Sequence, residues 1–264
     1  MAQTQFRFGE FSSALALRLA LITGCFVLGQ IPQALLAQQI PQRWESRQYQ
    51  PPRGIGTPGH LDRGGTRSPS NSCLTTGKAL TALVPSNQFG ATVSPYPTFF
   101  AYMPDLSAEN SSLPVEFMLE DADGDTIYKA KFETRGKAGI LTLALPSQVG
   151  LPPLKVGQDY KWTFSIVCQP DERSKDISVE GWTRRVELNP SLQSQLAQAS
   201  LARQVELYAG AEIWQDAVAT LVQLRRDNPS NSAVTAMWQK LLSAAGLEQI
   251  GRESLVSEPT TPQG

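Results

Sequence analysis

The run Tyr160-Lys-Trp162-Thr-Phe164-Ser-Ile166-Val-Cys168 constrains this chain more than any other stretch. Its even-numbered positions are apolar and its intervening positions are mostly polar, a period of two that only a half-buried strand uses well. Cys168 falls on the apolar side, so the strand predicts a cysteine pointing into a core. The same alternation recurs nearby. Val115, Phe117 and Leu119 share one side of a second run, Tyr128, Ala130 and Phe132 one side of a third, and Leu141, Leu143 and Leu145 one side of a fourth. Weaker strands fit Ala79 to Val84 and Thr98 to Met103. A further run, Ile177 to Leu188, contains Gly181, where a bulge can switch faces. Glycine and proline number 20 and 19, and that punctuation suits turns between short strands. About seven or eight such strands without long helices predict an antiparallel β-sandwich of the immunoglobulin-like class over residues 73–189.

The ends of the chain have different characters. Arg7 and Arg18 precede an uncharged apolar run from Leu19 to Leu28, which is short for a bilayer span but suits an export leader. Ala34-Leu-Leu-Ala37 offers a cleavage point near Ala37, so residues 1–37 are read as a signal peptide. Ile22-Thr-Gly-Cys25 has the form of a lipobox, but the apolar run continues past Cys25, whereas a lipidated cysteine follows that run. Residues 38–72 are dense in Pro, Gly, Ser, Gln and Arg, carry five arginines against Glu45 and Asp62, and are read as a disordered, solvated linker. An export leader places the mature chain in the periplasm or outside the cell, with no stable membrane span after cleavage. In that oxidising setting, removal of Cys25 leaves Cys73 and Cys168 as the only possible intrachain disulfide.

Beyond Pro190 the period changes to that of helices. Ser191 to Tyr208 reads as one helix, Ile213 to Arg226 as a second stopped at Asn228-Pro229, and a third starts at a Ser232 cap and ends at Gly246. Tyr208, Ala217, Leu221, Leu224 and Pro229 sit at the spacings of a tetratricopeptide repeat, although Gln204 and Val205 stand where its first helix has a small residue. One such unit cannot bury its own apolar stripes. Residues 190–247 are therefore expected to pack on the sandwich, and residues 248–264 to form a disordered polar tail.

Several chemistries find no support. With 23 basic and 24 acidic residues, no global field attracts nucleic acid. The only histidine, His60, lies in the linker, which leaves the folded part without an imidazole for catalysis or metal binding. Gly77-Lys78 and Gly136-Lys137 lack the upstream glycine of a phosphate loop. Asp121, Asp123 and Asp125 alternate like the start of a calcium loop, but Phe132 occupies the position of its last ligand, and a hairpin turn with Asp-Gly at its tip explains them. No cofactor or metal is expected. Two candidates stay open: paired carboxylates of a hydrolase, which leave no local signature, and the aromatic cluster Tyr96, Phe99, Phe100 and Tyr102, which can stack on a glycan or belong to the core.

Taken together, Leu80-Thr-Ala-Leu-Val-Pro85, Thr92-Val-Ser-Pro-Tyr-Pro-Thr98, Asp159-Tyr-Lys-Trp162 with Cys168, Val179-Glu-Gly-Trp182, and Ile213-Trp-Gln-Asp-Ala217 with Leu224-Arg225 and Asn228-Pro229 resemble the cyanobacterial domain-of-unknown-function family nine hundred and twenty-eight. The resemblance runs from Gly54 to Leu247 and implies an exported cyanobacterial protein. It carries over no catalytic residue. The expectation is a non-catalytic module that binds another envelope or secreted protein. The alternatives are a carbohydrate-binding module using the aromatic cluster and a carboxylate-based hydrolase.

Overall fold

The computed structural model describes residues 40, 73–75, 77–107, 112–134, 136–148 and 150–256, all within one compact unit, Gln38–Gly264. The leader, His60 and, apart from Ile40, the linker lie outside the described residues. Among the described residues no helix is long and apolar enough to cross a membrane, and no three His, Cys, Asp or Glu side chains gather to hold a metal ion.

Two mostly antiparallel sheets and four helices build a mixed β/α fold. The strands are β1 Thr81–Ala82, β2 Phe89–Thr92, β3 Thr98–Met103, β4 Pro114–Asp121, β5 Thr126–Glu133, β6 Gly139–Ala144, β7 Asp159–Ile166 and β8 Ile177–Arg185. The smaller sheet has the order β1-β3-β6 and the larger the order β2-β8-β7-β4-β5. The alternating runs set their facing surfaces. Phe117 of β4 lies opposite Phe164 of β7, and Leu119 opposite Trp162. Their rings meet Phe99 of β3 across the gap, at 5.2 Å from Phe117 and 5.4 Å from Trp162. This aromatic layer is the core between the sheets.

One pair departs from the antiparallel arrangement expected: β2 runs parallel to β8. No hairpin joins them, and strands β3 to β7 form the crossover between them. β2 itself has the sequence Phe-Gly-Ala-Thr, without an alternating apolar pattern. It is a strand because β8 and a helix hold it.

The helices are α1 Pro190–Gln198, α2 Leu201–Gly210, α3 Trp214–Asp227 and α4 Ser232–Ala244. The single helix expected over Ser191 to Tyr208 is broken at Ala199, whose backbone is extended, because Ser200 caps α2 by accepting from Arg203 N. Gln204 then donates to the Leu196 and Ala199 carbonyls, which satisfies the end of α1. Asn231, not Ser232, caps α4, accepting from Ala233 N and Val234 N. Helices α2 to α4 cover the outer face of the smaller sheet, where Phe100, Tyr102 and Ile140 join Trp214, Leu221, Trp238 and Leu242 in a second core. Ile40 is 5% exposed and belongs to that same core, so the solvated-linker reading fails at this residue.

The polar tail expected from Glu248 is also corrected for residues 248–256. Glu248–Ile250 forms a short 3-10 turn that buries Ile250. Ile140 N then donates to Ser254 O at 2.8 Å and Val256 N donates to Ile140 O at 3.0 Å, which places the segment along the edge of β6. Gly139 permits this approach, since it has φ of +155° and a Cβ there would stand 2.5 Å from Val256. Glu253 forms an ion pair with Lys78. Three apolar residues, Ile250, Leu255 and Val256, suffice to fix a segment that composition alone marks as polar.

Cys73 and Cys168 form a disulfide, with Cα atoms 5.5 Å apart. It ties the first strand-like contact, Leu74 opposite Leu106, to the end of β7. A loop closed over a sequence separation of 95 is worth about 4.7 kcal/mol in a chain-entropy description. Replacing both cysteines by serine is expected to lower the urea midpoint by a loss of about 2–4 kcal/mol, with the far-ultraviolet circular dichroism of the native state unchanged.

Candidate functional site

Strand β8 leaves the larger sheet through Val186-Glu187-Leu188-Asn189 and enters α1, where Asn189 caps the helix by accepting from Leu192 N. This corner faces the turn Ala211-Glu212-Ile213 between α2 and α3, and a cleft of about 260 Å³ opens between them. Phe89 and Ala91 of β2 also line it. Leu192, Leu196, Leu207 and Ile213 pack together with Val186 and Leu188, which makes the floor apolar.

The charged groups at the cleft differ in their partners. Arg184 donates from Nε and Nη2 to the two oxygens of the buried Asp159, at 2.6 and 2.7 Å, so its charge is matched from inside the sheet. Arg185 turns away and donates to the Leu154 carbonyl at 2.6 Å. Glu187 is exposed, and Glu212 holds a left-handed backbone with φ of 60° at the tip of the α2–α3 turn.

Behind the cleft, the first turn of α3 sits on β2. Asp216 turns one carboxylate oxygen inward, where it accepts from Thr92 Oγ1 at 2.8 Å and Val93 N at 3.1 Å. Burial pushes this carboxyl above the usual aspartate range, and the hydrogen bonds from Thr92, Val93 and its own backbone offset only part of that rise. On α2, the Tyr208 hydroxyl is raised above its ordinary range by its own burial first and by the Asp216 charge second. Gln215 is 1% exposed and its amide finds no hydrogen-bond partner. Gly90 is required beneath it, because a Cβ there would stand 2.9 Å from Trp214 Cδ1 and 3.2 Å from Gln215 Nε2.

The aromatic cluster does not form a surface. Phe99 at 0% exposure faces the larger sheet, while Phe100 at 1% and Tyr102 at 4% face the helices. Tyr96 is half-buried, with its hydroxyl donating to the Leu151 carbonyl. Neighbouring strand residues point to opposite faces, and both faces of this sheet are covered, so the glycan-stacking expectation is overturned. Asp121 accepts from the backbone of Asp123 and Asp125, both at 3.0 Å, which closes the β4–β5 hairpin. Asp216, the one carboxyl among the described residues raised by burial, is partnered by a hydroxyl and amides instead of a second carboxylate. No local motif marks the cleft: Phe89, Ala91, Arg184, Glu187 and Glu212 come from three separate segments, joined by the fold alone.

The fold and its cleft define a two-sheet protein with one helical layer. The family described as Domain of Unknown Function (DUF928) matches residues 62–255, and the chain belongs to that family. No curated protein matches the chain.

Two outcomes test this site. A carboxyl raised on folding destabilises the native state above its raised value, and the penalty fades as pH falls towards its unfolded value. Thermal melts of the native chain are therefore expected to gain on Asp216→Asn as pH drops from about 8 to about 4, whatever constant offset separates the two. Asp159→Ala removes the carboxylate that pairs with the half-buried Arg184 through both oxygens, and a loss of about 2–3 kcal/mol in urea unfolding is expected.

Proposed function

We propose that the chain is a non-catalytic interaction module of an exported protein, acting in the periplasm or outside the cell, and that it docks another envelope or secreted protein at the cleft between β2, β8, α1 and the α2–α3 turn. The observation that carries this reading is the cleft's make-up. An apolar floor built from Val186, Leu188, Leu192 and Ile213 is rimmed by Glu187, Glu212 and the matched Arg184. That mixture suits a peptide surface, in which an apolar anchor is flanked by polar groups. The disulfide between Cys73 and Cys168 agrees with an oxidising compartment. In this reading the sheets are an immunoglobulin-like scaffold. The α2–α3 hairpin is a lone tetratricopeptide-like unit, used to complete the scaffold instead of forming a superhelix.

A photo-crosslinking residue placed at Glu187 in the full chain, expressed in its native host, is expected to capture a discrete exported protein. The same residue at Lys129, equally exposed on the far side of the larger sheet, is expected to capture none. Equal capture at both positions, or capture at Lys129 alone, would remove the cleft from this role.

A further inference from the structure

We propose that the ridge formed by Pro152, Pro153, Lys155 and Val156 is a rigid recognition element, read by a protein whose groove is walled by aromatic side chains and carries a carboxylate for Lys155. This surface goes beyond the cleft. Arg184 and Arg185 point to opposite faces of β8, and Arg184 lines the cleft while Arg185 holds the ridge.

The course of the ridge follows from its prolines. Each ring fixes φ at about −65°, and the residue before a proline is pushed out of the helical region. Leu151 and Pro152 both precede a proline, so residues 151–153 take an extended, polyproline-like course. Such a course repeats every three residues. Burial follows that count. Leu151 is 8% exposed and Leu154 1%, and both belong to the inter-sheet core, while Pro152 and Pro153 between them are exposed. Two leucines anchor the segment and two prolines are displayed by it.

Neighbouring groups hold this course in place. The Tyr96 hydroxyl donates to the Leu151 carbonyl at 3.1 Å, and Leu154 N donates to the Pro95 carbonyl at 2.9 Å. Arg185 donates to the Leu154 carbonyl at 2.6 Å, and Lys155 N donates to the Tyr160 hydroxyl at 2.9 Å. Gly157 N donates to the Arg185 carbonyl at 2.7 Å, which closes the segment onto β8. The Pro152 and Pro153 carbonyls have no hydrogen-bond partner among the described residues.

A plain connection between β6 and β7 has no need of what stands beside the prolines. Val156, at 53%, is the one large apolar side chain exposed among the described residues. Lys155 is exposed and forms no ion pair among them. Proline rings offer an apolar surface, their carbonyls are bare acceptors, and binding them orders little because φ is fixed beforehand. Aromatic-walled grooves use these properties, with rings packing on the prolines and indole or phenol groups donating to the carbonyls. Lys155 then favours an acidic groove over a basic one. The four displayed residues include no ring to stack on a sugar, and a single lysine is too little to hold an anionic membrane.

The test places a photo-crosslinking residue at Val156 of the full chain in its native host and maps, by mass spectrometry, where on the captured protein the bond forms. The bond is expected in a stretch that holds tryptophan or tyrosine with an aspartate or glutamate near it. The double variant Pro152→Ala, Pro153→Ala is expected to abolish capture at Val156. With the captured protein purified, the same double variant is expected to bind it roughly fivefold or more weakly, the scale of ordering two residues that proline holds in advance. Lys155→Glu is expected to weaken binding several-fold, with the effect shrinking as salt rises. Where the double variant does not fold, Lys155→Glu, which changes one exposed side chain, decides in its place. No captured protein at Val156, a bond in a region without aromatic residues, capture that survives the double substitution, or binding indifferent to Lys155→Glu would overturn the proposal. Capture at Glu187 bears on the cleft alone, so the two surfaces stand or fall separately.

Discussion

Trp214 is fully buried, and its indole N–H donates to the Leu83 carbonyl at 2.8 Å, just beyond β1 of the smaller sheet. The same ring rests on Gly90 of β2, in the larger sheet. One side chain at the start of α3 therefore joins both sheets to the helical layer. The consequences spread outward from that point. Gly90 has to be glycine for the ring to approach, and β2 is held against β8 from above. The first turn of α3 is then close enough for Asp216 to take both Thr92 Oγ1 and Val93 N. An aromatic ring of this size, buried with its polar atom satisfied, contributes several kcal/mol that a smaller residue does not replace.

The same contact leaves polar groups under strain of hydration. Asp216 keeps its hydrogen bonds but loses water, and Gln215 loses water without gaining a partner. Both sit directly behind the cleft, in the turn of helix that follows Ile213 of its lining. The inter-sheet core carries a cost of the same kind, since the buried Trp162 Nε1 finds no hydrogen-bond partner either.

Alternation made β4 and β7 readable, because each has one face against the aromatic layer and one towards solvent, so their burial repeats every second residue. Strand β3 was placed correctly over Thr98–Met103, but its aromatics were ambiguous for a physical reason: a strand covered on both faces looks the same in sequence as one displaying rings on a surface. Strand β2 carried no signal, since its identity comes from Trp214 and β8 and not from its own four residues. The break between α1 and α2 was legible in Ser200 and was outweighed by the continuing stripe of leucines. The tail beyond Glu248 was misread because three separated apolar residues do not make a period, yet they are enough when an edge of β6 awaits them. For the cleft, sequence offers nothing local, because its residues are brought together by strand order.

The positions of the disulfide and the cleft give the larger sheet a direction. In the pairing of β7 with β8, Asp159 lies opposite Arg184 and Ile166 opposite Ile177. The cleft therefore stands at the start of β7, while Cys168 follows its end. Seven residues of strand separate the two, roughly 23 Å. Cys73 is thus fastened by the disulfide at the pole of the sheet away from Arg184, Glu187 and Ala91. A tension applied at Cys73 would reach β7 at Cys168 and run along its hydrogen-bonded ladders with β4 and β8, which resist it together. It would not act across the β2–β8 pair that borders the cleft.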